Sequence, residues 1–317
     1  MAGKIPSYTD IKKAHELIMP LIHRTPVLTS KTLNEITGGS LFFKCENFQK
    51  AGAFKYRGAT HAVLNVSDHD AGKGVATHSS GNHAAALALA AKNQNIPAYI
   101  VMPENAPEIK KKAVAGYGAT IIYCQPTLKA REETLDEVVK ETGATFIHPY
   151  NHFNVICGQG TAAKELIEET GGLDILIVPV GGGGLLSGSA IAAKHLLKKI
   201  QVIAAEPSGA DDACQSFRAG KIIPSINPVT IADGLLTSLG TLTFAIIQEY
   251  VDSIVAASDT SIINAMRMVW ERMKIIIEPS SAVTLAIILE NKIDVTGKRV
   301  GIILSGGNVE LSKLPFL

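Results

Sequence analysis

The sequence predicts an α/β fold in which mainly parallel sheets are flanked by helices. Short apolar segments alternate with helical patterns, and most of these segments lack polar alternation, as is typical of strands buried on both faces. The predicted strands are 41–45, 74–78, 98–102, 120–124, 145–149, 175–180, 201–206, 253–257 and 299–305. The predicted helices are 83–93, 108–117, 131–142, 162–170, 261–273 and 282–291. Such alternation of strands and helices favours parallel sheets.

Local signals support individual elements. Ser7 followed by Asp10 is typical of a capping box at the start of a helix. The uncharged run 175–193 is long enough to span a bilayer, but its four consecutive glycines favour a buried strand, a loop and a helix start.

Composition narrows the classes of function. A chain of 317 residues predicts two domains, and 46% hydrophobic against 19% charged residues excludes a disordered protein. The net charge of +1 gives no general attraction to nucleic acid or to anionic membranes. Four widely spaced cysteines and an N-terminus without a signal-peptide pattern predict a cytoplasmic protein with reduced thiols.

Glycine-rich segments mark the expected ligand site. Parallel sheets bind ligands beyond the carboxyl ends of their strands, where 77–83, 179–188 and 304–308 lie. The loop 181–185 offers successive backbone N–H groups at a helix start, which suits a phosphate. Ser189 stands where a P-loop has lysine and Leu186 where a Rossmann motif has glycine, so NTP and NAD are disfavoured. The alternative is a turn that allows tight helix–sheet packing.

Two other segments do not indicate one function on their own. In the first, 78–83, His78 stands where the G-x-S-x-G motif of a hydrolase has glycine, two residues before Ser80, so that motif is absent. The histidine spacings of a zinc site are absent from the sequence as well. Lys50, Lys55 and Arg57 form a basic cluster, which is either a solvated helix start or the surroundings of a reactive lysine.

Taken together, eight segments resemble the pyridoxal-phosphate enzymes of fold type II, the tryptophan synthase β-subunit group. Within that group they resemble serine racemases and serine/threonine dehydratases. The segments occur in family order over almost the whole chain: KCENFQKAGAFKYRGA (44–59), THSSGNHAAA (77–86), GQGTAAKEL (158–166), PVGGGGLLSG (179–188), EPSGADD (206–212), IADG (231–234), EPSSA (278–282) and LSGGN (304–308).

The resemblance implies cofactor-binding roles for residues in these loops. Lys55 matches the lysine that carries pyridoxal 5′-phosphate, and Phe54 packs beside the pyridine ring. Asn82 hydrogen-bonds the phenolic oxygen, and Ser305, next to Gly306, faces the pyridine nitrogen. The phosphate is bound by the N–H groups of Gly181, Gly182, Gly183, Gly184 and Leu185.

The resemblance also implies the reaction. The substrate is a small hydroxy amino acid, from which Lys55 removes the α-proton on one face. Loss of the β-hydroxyl then gives ammonia with pyruvate from L-serine or 2-oxobutanoate from L-threonine. The residues that match substrate-holding or site-closing positions are Ser79, Ser80, Asn82, His83, Arg131 and Thr237.

Two features are similar to racemases in particular. Ser80 matches the second catalytic base, which lies on the face opposite Lys55 and makes inversion to D-serine feasible. Glu206, Asp212 and the carbonyl of Ala210 match a divalent metal site, and such oxygen ligands suit Mg²⁺, Ca²⁺ or Mn²⁺.

The resemblance implies a fold of two open twisted sheets with the active site in the cleft between two domains. Residues 1–73 and 152–317 would form a large domain and 74–151 a small mobile one. It further implies a homodimer. Ala85 replaces a glutamine common in the family, which argues against an ATP effector, and an ACT-like regulatory domain is not expected.

Three alternatives stay open. The first is threo-3-hydroxyaspartate ammonia-lyase, although segment 235–240 offers no cation for a second carboxylate. The second is a dehydratase with negligible racemase activity. The third is a non-catalytic ligand-binding protein, against which Lys55, Ser80 and Ser305 argue.

Overall fold

The computed structural model describes residues 4–79, 81–106 and 108–316. The helices in these ranges are α1 Tyr8–Ile18, α2 Lys31–Thr37, α3 Lys55–Leu64, α4 Asp68–Ala71, α5 Asn82–Asn93, α6 Glu108–Gly116, α7 Leu128–Thr142, α8 Phe153–Thr170, α9 Gly184–Leu196, α10 Asp212–Ala219, α11 Thr241–Tyr250, α12 Asp259–Met273 and α13 Pro279–Leu289. The strands are β1 Val27–Leu28, β2 Ser40–Cys45, β3 Val75–His78, β4 Ala98–Pro103, β5 Thr120–Cys124, β6 Thr145–Phe146, β7 Ile175–Pro179, β8 Gln201–Pro207, β9 Ser253–Ala257 and β10 Arg299–Leu304.

The strands form two sheets. The larger has the order β1-β2-β10-β7-β8-β9 and is parallel except where β1 pairs antiparallel with β2. The smaller has the order β5-β4-β3-β6 and is parallel throughout. The predicted α/β class with parallel sheets flanked by helices is therefore confirmed. The division into a large and a small mobile domain stays a prediction, although the smaller sheet is built only from residues 75–146.

The apolar runs in the strands explain the buried core. One cluster of buried side chains packs α8, α9 and α11 against the larger sheet, and a second packs α12 and α13 against it. A third cluster joins α3 and α5 to the smaller sheet. Covering both faces of the larger sheet with helices leaves the carboxyl ends of its strands for loops, as is general for parallel sheets.

Every strand predicted from the sequence is present, and the capping box at Ser7 and Asp10 is confirmed. β1 was not predicted because two residues carry no periodic signal. The helix predicted at 162–170 in fact begins at Phe153. The prediction missed its first part because Gly158 and Gly160 weaken the helical pattern of the sequence there. Both glycines serve close packing, since a Cβ at either would lie 2.7 Å from the backbone of a neighbouring helix.

The helices are short or only partly apolar. Among the residues that the structure describes, no helix has the length and hydrophobicity needed to cross a bilayer. The four cysteines are unpaired and buried.

Candidate active site

Lys55 occupies the first position of α3, beside the carboxyl ends of β10 and β7. Its Nζ donates a 2.9 Å hydrogen bond to the carbonyl oxygen of Pro149 and lies 5.2 Å from the centre of the Phe54 ring. Burial lowers the pKa of Lys55 to about 8, while the negative charge of Glu278 acts in the opposite direction. A partly buried lysine with a lowered pKa carries a larger neutral fraction, which is the form that attacks a carbonyl.

The loop after β10 holds the start of α3. The N–H of Phe54 donates to the carbonyl oxygen of Ser305 at 2.9 Å, and Ala53 pairs with Gly306 in an isolated bridge. The Ser305 hydroxyl lies 3.1 Å from that of Ser281, which itself donates to the Gly306 carbonyl at 2.7 Å. The hydroxyl of Ser305 is thus held in place next to the segment that carries Lys55.

The glycine loop connects β7 to α9 and is fully buried. Gly183 has φ +88°, a left-handed conformation that favours glycine. Thr243 donates from its hydroxyl to the Gly182 carbonyl at 2.8 Å and so fixes the loop from outside. Among the described residues, the N–H groups of residues 181–185 form no hydrogen bond to a backbone acceptor. Unpaired donors at a helix N-terminus are the donor set that a phosphate needs.

Tyr150 lies directly over this loop. A Cβ on Gly182 would come within 2.3 Å of the Tyr150 ring, so only glycine fits there. The ring also packs edge-on against His148, with centroids 4.5 Å apart. Burial raises the pKa of Tyr150, and a hydrogen bond with the hydroxyl of Thr237 acts in the opposite direction. Thr237 is therefore brought to the same wall of the site as the glycine loop.

Asn82 begins α5 at the carboxyl end of β3 and faces the larger sheet. Its Nδ2 donates to the two carboxylate oxygens of Glu278 at 2.9 and 3.1 Å, and its Oδ1 accepts from Asn308 Nδ2 at 2.9 Å. Burial raises the pKa of Glu278 to about 7, and the charge of Asp233 acts in the same direction. The predicted cofactor-binding amide is thus oriented by a buried carboxyl group.

The smaller sheet contributes the other predicted substrate residues. Ser79 follows β3, and its hydroxyl oxygen accepts a 3.3 Å hydrogen bond from the N–H of Gly81. His83 is buried, and burial together with the charge of Lys55 lowers its pKa well below the ordinary value, so the ring is neutral. Arg131 lies on α7, where its positive charge lowers the pKa of His78, which is chiefly lowered by burial. Ser80 lies outside the described residues.

The predicted metal ligands lie together at the carboxyl end of β8. Glu206 is buried and accepts from the N–H groups of Ala213 and Cys214 at 2.9 and 2.8 Å. Both carboxylate oxygens of Asp212 are buried without a partner among the described residues. Burial raises the pKa of Glu206 to about 8 and that of Asp212 to about 6. Two buried carboxyl groups without a counter-charge fit a cation.

The Ala210 carbonyl belongs to the short 3-10 turn Ser208–Ala210 between these two acids. Among the described residues, no group of three or more His, Cys, Asp or Glu side chains is arranged to hold a metal, and this includes the surroundings of Glu206 and Asp212. A cation at Glu206 and Asp212 would therefore need carbonyl and water oxygens to complete its shell, as hard divalent cations accept.

Residues that the sequence reasoning gave no role include Glu278, Tyr150 and Pro149. Glu278 carried a signal, because it is the acid of the EPSSA segment and precedes a proline at the start of α13. Tyr150 and Pro149 carried none, since their importance comes from contacts with residues 32 and 94 positions away.

Comparison with known proteins bears on the identity of this site. The family model described as pyridoxal-phosphate dependent enzyme matches residues 18–306. A beta-hydroxyaspartate dehydratase of Paracoccus denitrificans is 54% identical over 98% of this chain and 99% of its own length. A serine racemase of Arabidopsis thaliana is 53% identical over 96% and 94% of the two chains. The crystal structure of a serine racemase from Dictyostelium discoideum superposes with a TM-score of 0.93 at 51% identity, covering 96% of this chain and 99% of that one.

Proposed function

Because the chain belongs to the family of pyridoxal-phosphate dependent enzymes and has their fold type II architecture, we propose that it is a serine racemase with L-serine/L-threonine dehydratase activity. One observation carries this proposal: the Lys55 amine, the free N–H groups of 181–185 and the Ser305 hydroxyl converge at one end of the larger sheet. The family match and the site therefore agree.

The residues present fit the cofactor. The N–H groups of Gly181 to Leu185 would hold its phosphate, Ser305 its ring nitrogen, Asn82 its phenolic oxygen and Phe54 one edge of its ring. Pyridoxal phosphate, when bound, supplies an electron sink that stabilises negative charge at the α-carbon of an amino acid. Lys55 would hold the cofactor through its amine.

The chain's own residues would then move the protons. The lowered pKa of Lys55 lets its amine accept a proton near neutral pH, which suits removal of the α-proton from L-serine. Inversion needs a second acid–base group on the opposite face, and we assign this role to Ser80. Neutral His83, Ser79 and Thr237 would hold the substrate carboxylate or close the site around it.

A divalent cation is part of the proposal. Glu206, Asp212 and the Ala210 carbonyl would bind Mg²⁺, Ca²⁺ or Mn²⁺, since the two buried carboxyl groups otherwise lack a counter-charge. This cation would neutralise the buried acids at the end of β8 and fix the segment between β8 and α10. It would support the fold next to the glycine loop without touching the substrate.

We propose a homodimer in the cytoplasm. Met19, Phe48 and Ile276 are 56%, 44% and 48% exposed, and their segments adjoin, because Asn47 donates to the Ile276 carbonyl and Lys50 to that of Leu21. Such exposed apolar side chains suit a contact between two copies. The four buried thiols suit a reducing compartment.

A second candidate is threo-3-hydroxyaspartate ammonia-lyase. The beta-hydroxyaspartate dehydratase of Paracoccus denitrificans, at 54% identity, favours a hydroxyaspartate substrate. So does Arg131, whose charge acts on both His78 and Tyr150 and so offers a cation near the site. Segment 235–240 still contributes none.

A substrate panel tests the proposal. L-serine, D-serine, L-threonine and threo-3-hydroxyaspartate are compared by kcat/KM, with a chiral assay of the serine product. We expect D-serine from L-serine and pyruvate from both enantiomers. A kcat/KM for hydroxyaspartate far above that for serine would select the second candidate, and elimination without D-serine would select a plain dehydratase.

A further inference from the structure

A cluster of four buried charged side chains includes Arg57, which lies two residues after the reactive lysine in the first turn of α3. Arg57 and Lys44 supply two positive charges, and Glu46 and Glu165 supply two negative ones, each side chain being no more than 1% exposed. The cluster is therefore neutral as a whole and shielded from solvent, so its charges interact more strongly than they would in water.

Arg57 is the centre of this cluster, and every N–H of its guanidinium is used. Nε and Nη2 donate to the two oxygens of Glu46 at 2.7 and 2.9 Å. Nη1 and Nη2 donate to the two oxygens of Glu165 at 2.8 Å each. Nη1 also donates to the hydroxyl of Thr161 at 3.1 Å. Two forked pairs fix the plane of the guanidinium as well as its distance.

The partners of Arg57 belong to rigid elements. Glu46 follows β2 directly, and Glu165 and Thr161 lie on α8. Lys44, on β2, donates to Glu165 Oε2 at 2.7 Å and so links the sheet to that helix independently. Arg57 therefore ties the first turn of α3 to the edge of the larger sheet and to α8 at the same time.

The first turn of α3 depends on such contacts for its position, because no side chain caps the helix N-terminus. Phe54 is its N-cap residue and makes no side-chain cap hydrogen bond. Successive helix positions rotate by about 100°, so Lys55 and Arg57 project about 200° apart, on opposite sides of the helix. Arg57 thus holds α3 from the side away from the Lys55 amine.

We propose that Arg57 is a positioning residue, which sets the direction of the Lys55 side chain by anchoring the first turn of α3 to Glu46 and Glu165. The proposal rests on the proposed function only in taking Lys55 as the cofactor lysine. Buried ion clusters often add little net stability over apolar side chains of equal volume, so stability alone does not account for this one.

The test separates positioning from stability. Arg57→Lys keeps the charge but loses both forked pairs, and Thr161→Val removes one partner of the guanidinium. Arg267→Lys is the matched control, because Arg267 forms a 2.7 Å pair with Glu271 on the surface of α12. Ile262→Ala, on the buried face of α12, serves as a destabilised control. Melting temperature, kcat and KM are measured for each. The rate at which apoprotein captures pyridoxal phosphate is measured as well, from the growth of a visible absorption band that borohydride then abolishes.

We expect Arg57→Lys to lower the capture rate and kcat about 10- to 100-fold, with KM changed by less than about 3-fold. Ile262→Ala and Arg267→Lys should keep both rates. The proposal is overturned if Arg57→Lys loses no more of either rate than Ile262→Ala does at a similar melting temperature. If Arg57→Lys does not fold, Thr161→Val decides: a capture rate lowered about 3-fold supports the proposal, and an unchanged rate overturns it.

Capture requires no substrate, so an error in the proposed substrate would leave this result intact. An error in the choice of Lys55 would appear in the wild-type protein, as a reduced cofactor mapped to another lysine.

Discussion

The Nζ atom of Lys55 donates a hydrogen bond to the carbonyl oxygen of Pro149, 2.9 Å away and 94 residues further along the chain. Pro149 lies between His148 and Tyr150, in the segment that leads from β6 to α8. This contact joins the amine at the start of α3 to the segment whose tyrosine covers the glycine loop. The reactive amine and the phosphate site are therefore positioned by one short segment.

We expect Lys55→Ala to abolish turnover and the covalent attachment of the cofactor, because it removes the amine at the start of α3, next to the loop that carries Ser305. The control is Lys50→Ala, since Lys50 donates to the carbonyl of Leu21 at 2.7 Å and should leave covalent attachment unaffected. Borohydride reduction followed by peptide mapping checks both. Finding the reduced cofactor on Lys50 in the wild-type protein would contradict the assignment.

The capture of pyridoxal phosphate by apoprotein should depend on pH. The neutral amine reacts, and burial holds the pKa of Lys55 near 8, so the rate should rise with pH and level off above about 8. Because the charge of Glu278 raises the pKa of Lys55, Glu278→Gln should move the midpoint to lower pH. Stopped-flow absorbance over about pH 6 to 11.5 provides the measurement, because this range covers both the lowered pKa and the ordinary lysine value. A wild-type midpoint near the ordinary lysine value of about 10.4 would show that the amine is solvated.

Gly182→Ala should weaken cofactor binding. Its Cβ would lie 2.3 Å from the Tyr150 ring, so either the ring or the loop must move. Since an overlap of this kind usually costs about 1–3 kcal/mol, we expect an apparent Kd about 10- to 100-fold higher. Gly116→Ala is the matched control, because a Cβ there meets no atom within 4 Å. Equal affinities for the two variants, titrated by absorbance, would place the phosphate elsewhere.

The sequence accounts for the strands and for each contiguous part of the site, because glycine runs and the lysine segment are local signals. The sequence does not predict which distant residues hold these parts of the site in their orientation. Asn82 is held by Glu278, 196 residues away, and Gly182 by Thr243, 61 residues away. Glu278 stands out in the sequence only as the acid of the EPSSA segment, and Thr243 shows no local pattern, so neither contact could be predicted. Contacts of this kind depend on how the sheets and loops pack, which short-range periodicity does not specify.

Removal of divalent cations should destabilise the protein. Glu206 and Asp212 are buried at the end of β8, and the two oxygens of Asp212 lack a partner among the described residues. A cation present at 100 times its Kd stabilises the folded state by about 2.7 kcal/mol. We therefore expect chelator to lower the melting temperature, and Mg²⁺, Ca²⁺ or Mn²⁺ to restore it.

Asp212→Asn should abolish this response, whereas Asp211→Asn should retain it, because the Asp211 carboxylate bonds Gln215 on the surface. Differential scanning fluorimetry with and without chelator measures all three proteins. An identical melting temperature of the wild type in both conditions, together with unchanged activity, would exclude the site.

Ser80 separates racemisation from elimination if it is the second base. Lys55 alone can take the α-proton of L-serine and allow the β-hydroxyl to leave, whereas D-serine formation needs a proton delivered to the opposite face. Ser80→Ala removes one oxygen with little change in volume. We expect it to lose D-serine formation and D-serine elimination by about 10²–10⁴-fold, the usual contribution of a positioned acid or base, and to keep most L-serine dehydratase activity.

Ser79→Ala is the comparison that makes this result decisive. The Ser79 hydroxyl oxygen accepts from the N–H of Gly81 and is proposed to help hold the substrate carboxylate, which both reactions require. Its loss should therefore lower racemisation and elimination together, mainly through KM. Both activities are measured on one preparation of each variant, with a chiral assay for serine and a coupled assay for pyruvate. A parallel fall of the two activities in Ser80→Ala, or undiminished D-serine production, would assign Ser80 to substrate binding or to the loop alone.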